Sequence, residues 1–195
     1  MSYIFYDVET TGLNRNSDIL SLAAIKCNDQ FEIQSVYNEY FLYGAEVPSG
    51  AVAVHGLTAQ KLEFLADRDF MQAAPDVYKF FSEQGATLGG HNIEQYDNKV
   101  LIYNLEICGF KLPVTHTVDT LVMARQHLTG SHKLENCVRT LAATLSKPSN
   151  FLETLFSETK ILTDNIVDND MRYHSALYDA FCSYCIYILM NKIWG

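Results

Sequence analysis

The segment YIFYDVETTG, residues 3–12, combines strand-forming side chains with two acids and ends in a turn. Because side chains alternate along a strand, Asp7 and Glu9 project from one face and Val8 from the other. Two neighbouring carboxylates repel each other unless a cation holds them, and their hard oxygen ligands suit Mg²⁺ or Mn²⁺. The segment therefore predicts a strand that carries a metal site; the alternative is two solvated acids at a strand end. Gly12 closes the strand with a small turn whose backbone N–H groups would suit a phosphate or a terminal sugar.

The rest of the chain alternates between strand-like and helical patterns. Asn28-Asp29 is typical of a hairpin turn, and the apolar spacing becomes helical beyond Pro48, with Thr58 as an N-cap. A strand-helix-strand connection normally returns parallel, so the order predicts one α/β domain over residues 1–195. Its mixed sheet would have three antiparallel strands plus parallel strands, flanked by helices. The predicted strands cover residues 3–8, 18–27, 31–42, 86–90 and 117–119. The first predicted helix follows Thr58 and contains Leu62 and Leu65, and the others cover residues 75–81, 96–108, 121–128, 134–145 and 175–193.

The composition excludes several classes of protein. The 195 residues are 48% hydrophobic and 19% charged, which is typical of an ordinary globular chain. No apolar run approaches the ~20 residues of a membrane helix, and the early acids do not fit a signal peptide. The five cysteines are odd in number and lie in apolar surroundings, so they indicate reduced thiols, with Cys182 and Cys185 interpreted as core. These features predict a cytoplasmic protein without membrane association.

The charge balance constrains the kind of partner. Fourteen Lys and Arg against 23 Asp and Glu give a net charge of −9, which argues against unaided binding of long nucleic acids. A nucleic-acid enzyme stays open, because two bound Mg²⁺ ions would offset four carboxylates. Basic residues between positions 125 and 147 form a candidate track for a nucleic-acid backbone, with a solvated helix face as the alternative. The acid-rich segment 147–172 matches no motif.

Two later motifs place an acid near a histidine. GGHN at residues 89–92 leads to Asp97 at the head of a predicted helix, where capping alone would also explain an acid. YHSALYD at residues 173–179 places His174 five residues before Asp179, and on one regular helix these two would lie about 140° apart. A shared site therefore requires His174 in the lead-in to the terminal helix and Asp179 within the helix, which leaves the histidine free to move.

Taken in order, the motifs resemble those of the DEDDh, or DnaQ-like, 3′-to-5′ exonucleases, a family with the ribonuclease H-like fold. The likeness covers nearly the whole chain and favours the histidine subfamily, because the sister subfamily has a tyrosine where this chain has Ser175. It rests on DVETTG at residues 7–12, VHGLT at residues 54–58, HNIEQYD at residues 91–97, VDTL at residues 118–121, the Lys133-Leu134 helix start and HSALYDA at residues 174–180.

The resemblance implies a metal-dependent enzyme that releases nucleoside 5′-monophosphates from the 3′ end of single-stranded DNA or RNA. It implies two Mg²⁺ or Mn²⁺ ions and a histidine general base. The implied metal ligands are Asp7, Glu9, Asp97 and Asp179, and the implied base is His174. The residues expected to hold the terminal nucleotide are Thr10, Thr11, Gly12, Leu13, His55, Asn92 and Tyr96.

Two other functions stay open at this point. A non-catalytic binding module would be expected to lack one of the five catalytic groups, and none is missing. A proofreading subunit would be an exonuclease whose role is set by a polymerase or another replication or repair protein, and the acidic charge favours such a partner. The terminal helix predicts core packing, with a dimer face as the alternative. Its apolar residues are Ile186, Ile188, Leu189, Ile193 and Trp194.

Overall fold

The computed structural model describes residues 2–113, 116–144 and 174–195, and within them the chain forms one five-stranded sheet of order β3-β2-β1-β4-β5. β1 pairs antiparallel with β2, and β2 pairs antiparallel with β3, whereas β4 and β5 run parallel to β1. The predicted mixed sheet is thereby confirmed. The strands are β1 (Ser2–Thr10), β2 (Ile19–Asn28), β3 (Ile33–Tyr40), β4 (Thr87–Gly90) and β5 (His116–Asp119).

Seven helices accompany the sheet in these ranges. None of the helices in the described part of the chain is long and apolar enough to cross a membrane. The acid-rich segment 147–172 and the predicted helix end at residue 145 lie outside the described residues. The helices are α1 (Ser49–His55), α2 (Ala59–Leu65), α3 (Phe70–Phe81), α4 (Asp97–Ile107), α5 (Thr120–His127), α6 (Leu134–Thr144) and α7 (Ala176–Trp194).

Two predicted element boundaries are wrong for local reasons. Helix α3 begins at Phe70 rather than at residue 75, because Asp69 and Gln72 form a reciprocal capping box that fixes the helix start. Strand β3 begins at Ile33 rather than at residue 31, because Phe31 has a left-handed φ of 63° within the hairpin turn.

β1 lies at the centre of the sheet and has a different neighbour on each face. Phe5 packs on the face covered by α6 and α7, whereas Tyr6 and Val8 pack on the face covered by α3 and α4. Because side chains alternate along the strand, Asp7 and Glu9 share the α7 face with Phe5. The alternation expected from the sequence therefore directs the two acids toward the terminal helix.

Helix α7 belongs to the hydrophobic core. Ile186 and Leu189 are buried, which confirms core packing for them, while Trp194 remains 43% exposed and stacks on His127. All five cysteines are free thiols, and only Cys108 among them is more than slightly exposed. Cys182 and Cys185 lie in the apolar cluster beneath the sheet, as expected of core residues.

Strand β4 approaches β1 so closely that its glycines are required. A Cβ atom on Gly89 would stand 2.5 Å from two ring carbons of Phe5. The Phe5 ring is fully buried and packs against Tyr184 and Tyr187, so it has little room to retreat.

We expect Gly89→Ala to lower the free energy of unfolding by about 1–3 kcal/mol, because the added methyl group overpacks the layer between β4 and α7. Urea denaturation measures this change. Gly44→Ala is the matched control, since nothing lies within 4 Å of a Cβ at that position. An equal loss in both variants, or none at Gly89, would contradict the close approach.

Candidate active site

Three carboxylates meet where the end of β1 faces the start of α7. Asp7, Glu9 and Asp179 each offer an oxygen atom, and these atoms lie within 4.8 Å of one another. Glu9 and Asp179 are buried and Asp7 is half-buried. The Oδ1 atom of Asp179 is buried and has no hydrogen-bond partner among the residues that the structure describes. Because a buried, unpaired carboxylate oxygen is costly unless a cation satisfies it, this cluster suits a divalent metal ion.

Asp97, the fourth predicted ligand, stands beside this cluster rather than within the 4.8 Å group. It is the first residue of α4, is 5% exposed, and accepts a hydrogen bond at Oδ1 from the Val8 backbone N–H at 3.3 Å. Asp97 therefore approaches β1 from the α4 side, opposite to Asp179. All four acids line one cleft of about 380 Å³.

Burial raises the pKa of three of these acids, Asp7, Asp97 and Asp179. The pKa of Asp7 lies well above its ordinary value because of burial and then because of the negative charges of Asp97, Asp179 and Glu9. Burial is also the main reason that the pKa values of Asp97 and Asp179 are raised to about 7. Backbone hydrogen bonds to these two carboxylates oppose the shift. A cation would relieve the same unfavourable burial that protons relieve in its absence.

His174 lies in the lead-in to α7, and Asp179 lies in the first turn of the helix. The backbone of His174 has a left-handed φ of 65°, and its N–H donates to Asp179 Oδ2 at 3.0 Å. The exposed His174 side chain lines the cleft together with the acids. This is the arrangement that the five-residue spacing requires if the two residues are to share a site.

A second cavity of about 460 Å³ adjoins the acid cleft, between the turn after β1 and helix α1. Leu13 is 91% exposed and lines both cavities, so an apolar side chain stands at their common mouth. The structure brings all of the sequence-predicted nucleotide-binding residues to these cavities. Thr10, Thr11, Gly12, Leu13, His55 and Tyr96 line the second cavity, and Asn92 lines the acid cleft.

Internal hydrogen bonds hold two of these residues in place. The Tyr96 hydroxyl bonds to the Gly12 carbonyl and to the Thr10 hydroxyl, and so closes the turn after β1. His55 accepts at Nδ1 from the Leu57 N–H at 3.0 Å; its Nε2 therefore carries the proton and donates to the Thr10 carbonyl at 3.1 Å. Both side chains shape the cavity wall, and their contact with a nucleotide stays a prediction.

His91 and Lys133 are among the residues at the site that the sequence analysis did not predict. His91 lines the acid cleft and bonds through Nδ1 to Thr120 Oγ1 and through Nε2 to the His132 carbonyl, both at 2.9 Å. Burial lowers the pKa of His91. Lys133 lines a cavity of about 330 Å³ with His174 and Asp179. His91 begins the motif at residues 91–97 and Lys133 lies at the Lys133-Leu134 helix start, but only tertiary packing places them at the site.

Comparison with known proteins identifies an exonuclease family over the part of the chain that contains Asp7, Glu9 and Asp97. The RNase_T family model, described as an exonuclease, matches residues 4–149. DNA polymerase III subunit epsilon of Buchnera aphidicola is 26% identical over 197 residues, 96% of this chain and 72% of the relative. The subunit of the same name from Rickettsia prowazekii is 32% identical over 135 residues, 66% of this chain and 56% of the relative.

Solved structures of exonuclease I from E. coli share the fold. The zinc-bound complex with single-stranded DNA has a TM-score of 0.74 at 16% identity, covering 99% of this chain and 41% of that chain. The complex with a dA16 oligonucleotide has a TM-score of 0.70 at 17% identity, covering 98% of this chain and 41% of that chain. The present chain therefore spans about two-fifths of the length of these structures.

The raised pKa of Asp179 gives a test of the site without a metal. Folded molecules retain a proton that unfolded chains release as the pH rises from about 4 to 7, so the metal-free protein loses stability over this range. We expect Asp179→Asn to raise the free energy of unfolding by about 1–3 kcal/mol at pH 8 in EDTA, because it removes the buried charge.

Urea denaturation between pH 5 and pH 8 measures this effect, and the gain should shrink toward pH 5. Asp67→Asn is the matched control, because Asp67 is an exposed acid outside the cleft. If Asp179→Asn is less stable than the unmodified protein at pH 8, burial of the charged Asp179 carboxylate is not costly and the prediction is wrong.

Proposed function

Because this chain belongs to the exonuclease family of the RNase_T model, as one of its DEDDh, DnaQ-like 3′-to-5′ members, we propose that it shortens single-stranded nucleic acid from the 3′ end. The products would be nucleoside 5′-monophosphates. The observation that carries the proposal is the cluster of Asp7, Glu9 and Asp179 beside Asp97, since packing alone gives no reason to gather four acids. Residues 1–195 would act as a single exonuclease domain, supported by one sheet with helices on both faces.

Asp7, Glu9, Asp97 and Asp179 would hold two divalent ions, Mg²⁺ or Mn²⁺. The donor set consists only of carboxylate oxygens, which these hard cations prefer. Two further observations support a cation at this place: Asp179 Oδ1 lacks a hydrogen-bond partner within the described parts of the chain, and the pKa of Asp7 is raised. When bound, such ions activate water and stabilise the charge of the leaving 3′ oxygen.

His174 would act as the general base. A neutral imidazole has one ring nitrogen whose lone pair can accept a proton, and the exposed His174 ring lines the cleft that the acids form. The hydrogen bond from its backbone N–H to Asp179 Oδ2 ties the histidine to one of the metal ligands. His174 would thus take the proton of the attacking water at a ring nitrogen, next to the carboxylates.

The second cavity would receive the terminal nucleotide. Its lining is mostly apolar, and Leu13 at the common mouth offers a surface on which a base could stack. Tyr96 and His55 hold the turn after β1, so residues Thr10 to Gly12 present a fixed wall to the sugar. The base would then lie in the apolar cavity and the scissile phosphate in the acid cleft.

The substrate and the partner are inferred from the relatives. The matched Buchnera and Rickettsia proteins are named as DNA polymerase III subunits, and the matched exonuclease I structures hold single-stranded DNA. We therefore favour single-stranded DNA over RNA. A net charge of −9 gives weak attraction for long strands, which supports a role alongside a polymerase or another replication or repair protein. Proofreading or end trimming would fit such a role.

Digestion of labelled oligonucleotides tests the proposed activity. With Mg²⁺, 5′-labelled single-stranded DNA should give a ladder that shortens from the 3′ end, whereas 3′-labelled DNA should release a labelled mononucleotide at once. EDTA and Asp7→Ala should abolish both products, and Asp67→Ala should leave them unchanged. The same assay on RNA compares the two sugars. No cleavage by a folded protein that binds Mn²⁺ would favour the binding-module alternative.

The base assignment has its own test. We expect His174→Ala to lower kcat by about 10²- to 10⁴-fold, because proton removal from water loses its catalyst. Calorimetric titration with Mn²⁺ should show an affinity within about two-fold of the unmodified protein, since the acids remain. His116→Ala, at an exposed position at the start of β5, is the matched control. A matching fall in Mn²⁺ affinity would contradict the role of a base.

A further inference from the structure

A buried hydrogen bond joins the two elements that carry the acids. Tyr6 immediately precedes Asp7 on β1, and Asn98 immediately follows Asp97 in α4. The Tyr6 hydroxyl donates to Asn98 Oδ1 at 2.7 Å, across 92 positions of sequence. Tyr6 is 1% exposed and Asn98 is 8% exposed. A polar pair thus lies between β1 and α4, where two apolar side chains would fill the space without the cost of desolvation.

Both members of the pair are held from other directions as well. The Tyr6 ring packs edge-on against Phe81, with 5.0 Å between ring centroids. Asn98 Nδ2 donates to Thr117 Oγ1 of β5 at 3.4 Å, and the Asn98 backbone N–H donates to the Ile93 carbonyl at 3.0 Å. Asn98 therefore connects β1, β5 and the loop before α4 at a single point.

The hydrogen bond that joins β1 directly to Asp97 is longer than the bond between Tyr6 and Asn98, and its acceptor is the Asp97 carboxylate itself. It runs from the Val8 N–H to Asp97 Oδ1 at 3.3 Å. A cation would draw on the same carboxylate, so this contact is a weak anchor for the helix in the metal-bound protein. The bond between Tyr6 and Asn98 holds the same end of α4 and leaves the Asp97 oxygens available.

We propose that Tyr6 and Asn98 are positioning residues for the acid cleft. Their hydrogen bond holds the first turn of α4 against β1 and so sets the place of Asp97 relative to the acids of β1. Neither residue is among those that line the cleft, so both act through Asp97. The inference rests on the proposed function, and it matters most for Asp97 because that acid stands outside the 4.8 Å group.

Tyr6→Phe, Asn98→Leu and the double variant separate positioning from stability. Each single variant leaves one buried polar group unpaired and should lower the urea midpoint. The double variant replaces both partners by apolar groups and should recover most of that loss. Positioning should not recover: Tyr6→Phe and the double variant should both bind Mn²⁺ about ten-fold more weakly in calorimetry. Both should also lose about ten-fold in kcat, with KM for a DNA oligonucleotide within about two-fold.

Tyr184→Phe is the matched control, because Tyr184 is also a buried tyrosine, 7% exposed, and its hydroxyl donates to the Phe31 carbonyl at 2.7 Å, in the hairpin turn. It should lose stability while keeping Mn²⁺ affinity and kcat. If the double variant recovers Mn²⁺ affinity and kcat together with stability, the pair is purely structural and the inference is wrong. If the unmodified protein cleaves no oligonucleotide, the proposed function fails, and the Mn²⁺ titrations of the same variants still decide the inference.

Discussion

The burial of several carboxylates at one end of β1 is the constraint on which the rest of the structure depends. Burial raises the pKa of Asp7, Asp97 and Asp179, so part of the favourable free energy of folding offsets the cost of holding these groups together. The apolar layers on both faces of the sheet supply that free energy. A cation that binds only the folded cluster would raise the free energy of unfolding.

Each face of β1 packs against a helix that brings one further acid to the cleft. On one face, α7 packs over Phe5 and brings Asp179 to the acids of the strand. On the other face, α4 packs over Tyr6 and brings Asp97 to the backbone of Val8. The strand acts as the common reference because its position is fixed by pairing with β2 and β4. Small shifts of either helix would therefore change the cleft without unfolding the sheet.

The fold and the site carry different information about function. Exonuclease I shares the fold at 16–17% identity, a level at which only the architecture is established. The family assignment rests instead on the RNase_T exonuclease model, which matches residues 4–149. The strand acids and the start of α4 lie within that match, and they converge in the cleft with the lead-in to α7. Function is argued from this convergence, because the same sheet and helices could hold unrelated sites. Because the net charge is acidic, affinity for long strands is expected to be weak, and a partner or a particular substrate is expected to bring the 3′ end to the cleft.

The sequence by itself determined the features that depend on local period and spacing. Alternation along the first strand places Asp7 and Glu9 on one face, and the five-residue spacing puts His174 before the terminal helix that contains Asp179. The predicted start of α3 at residue 75 was wrong, although its signal is local, because the capping box of Asp69 and Gln72 lies within four residues. Only the tertiary structure decided that Asp97 stands beside the other acids, that Tyr6 meets Asn98, and that His91 bonds to distant residues. These contacts join segments far apart in the chain, and the packing of helices on the sheet sets them, which no local pattern encodes.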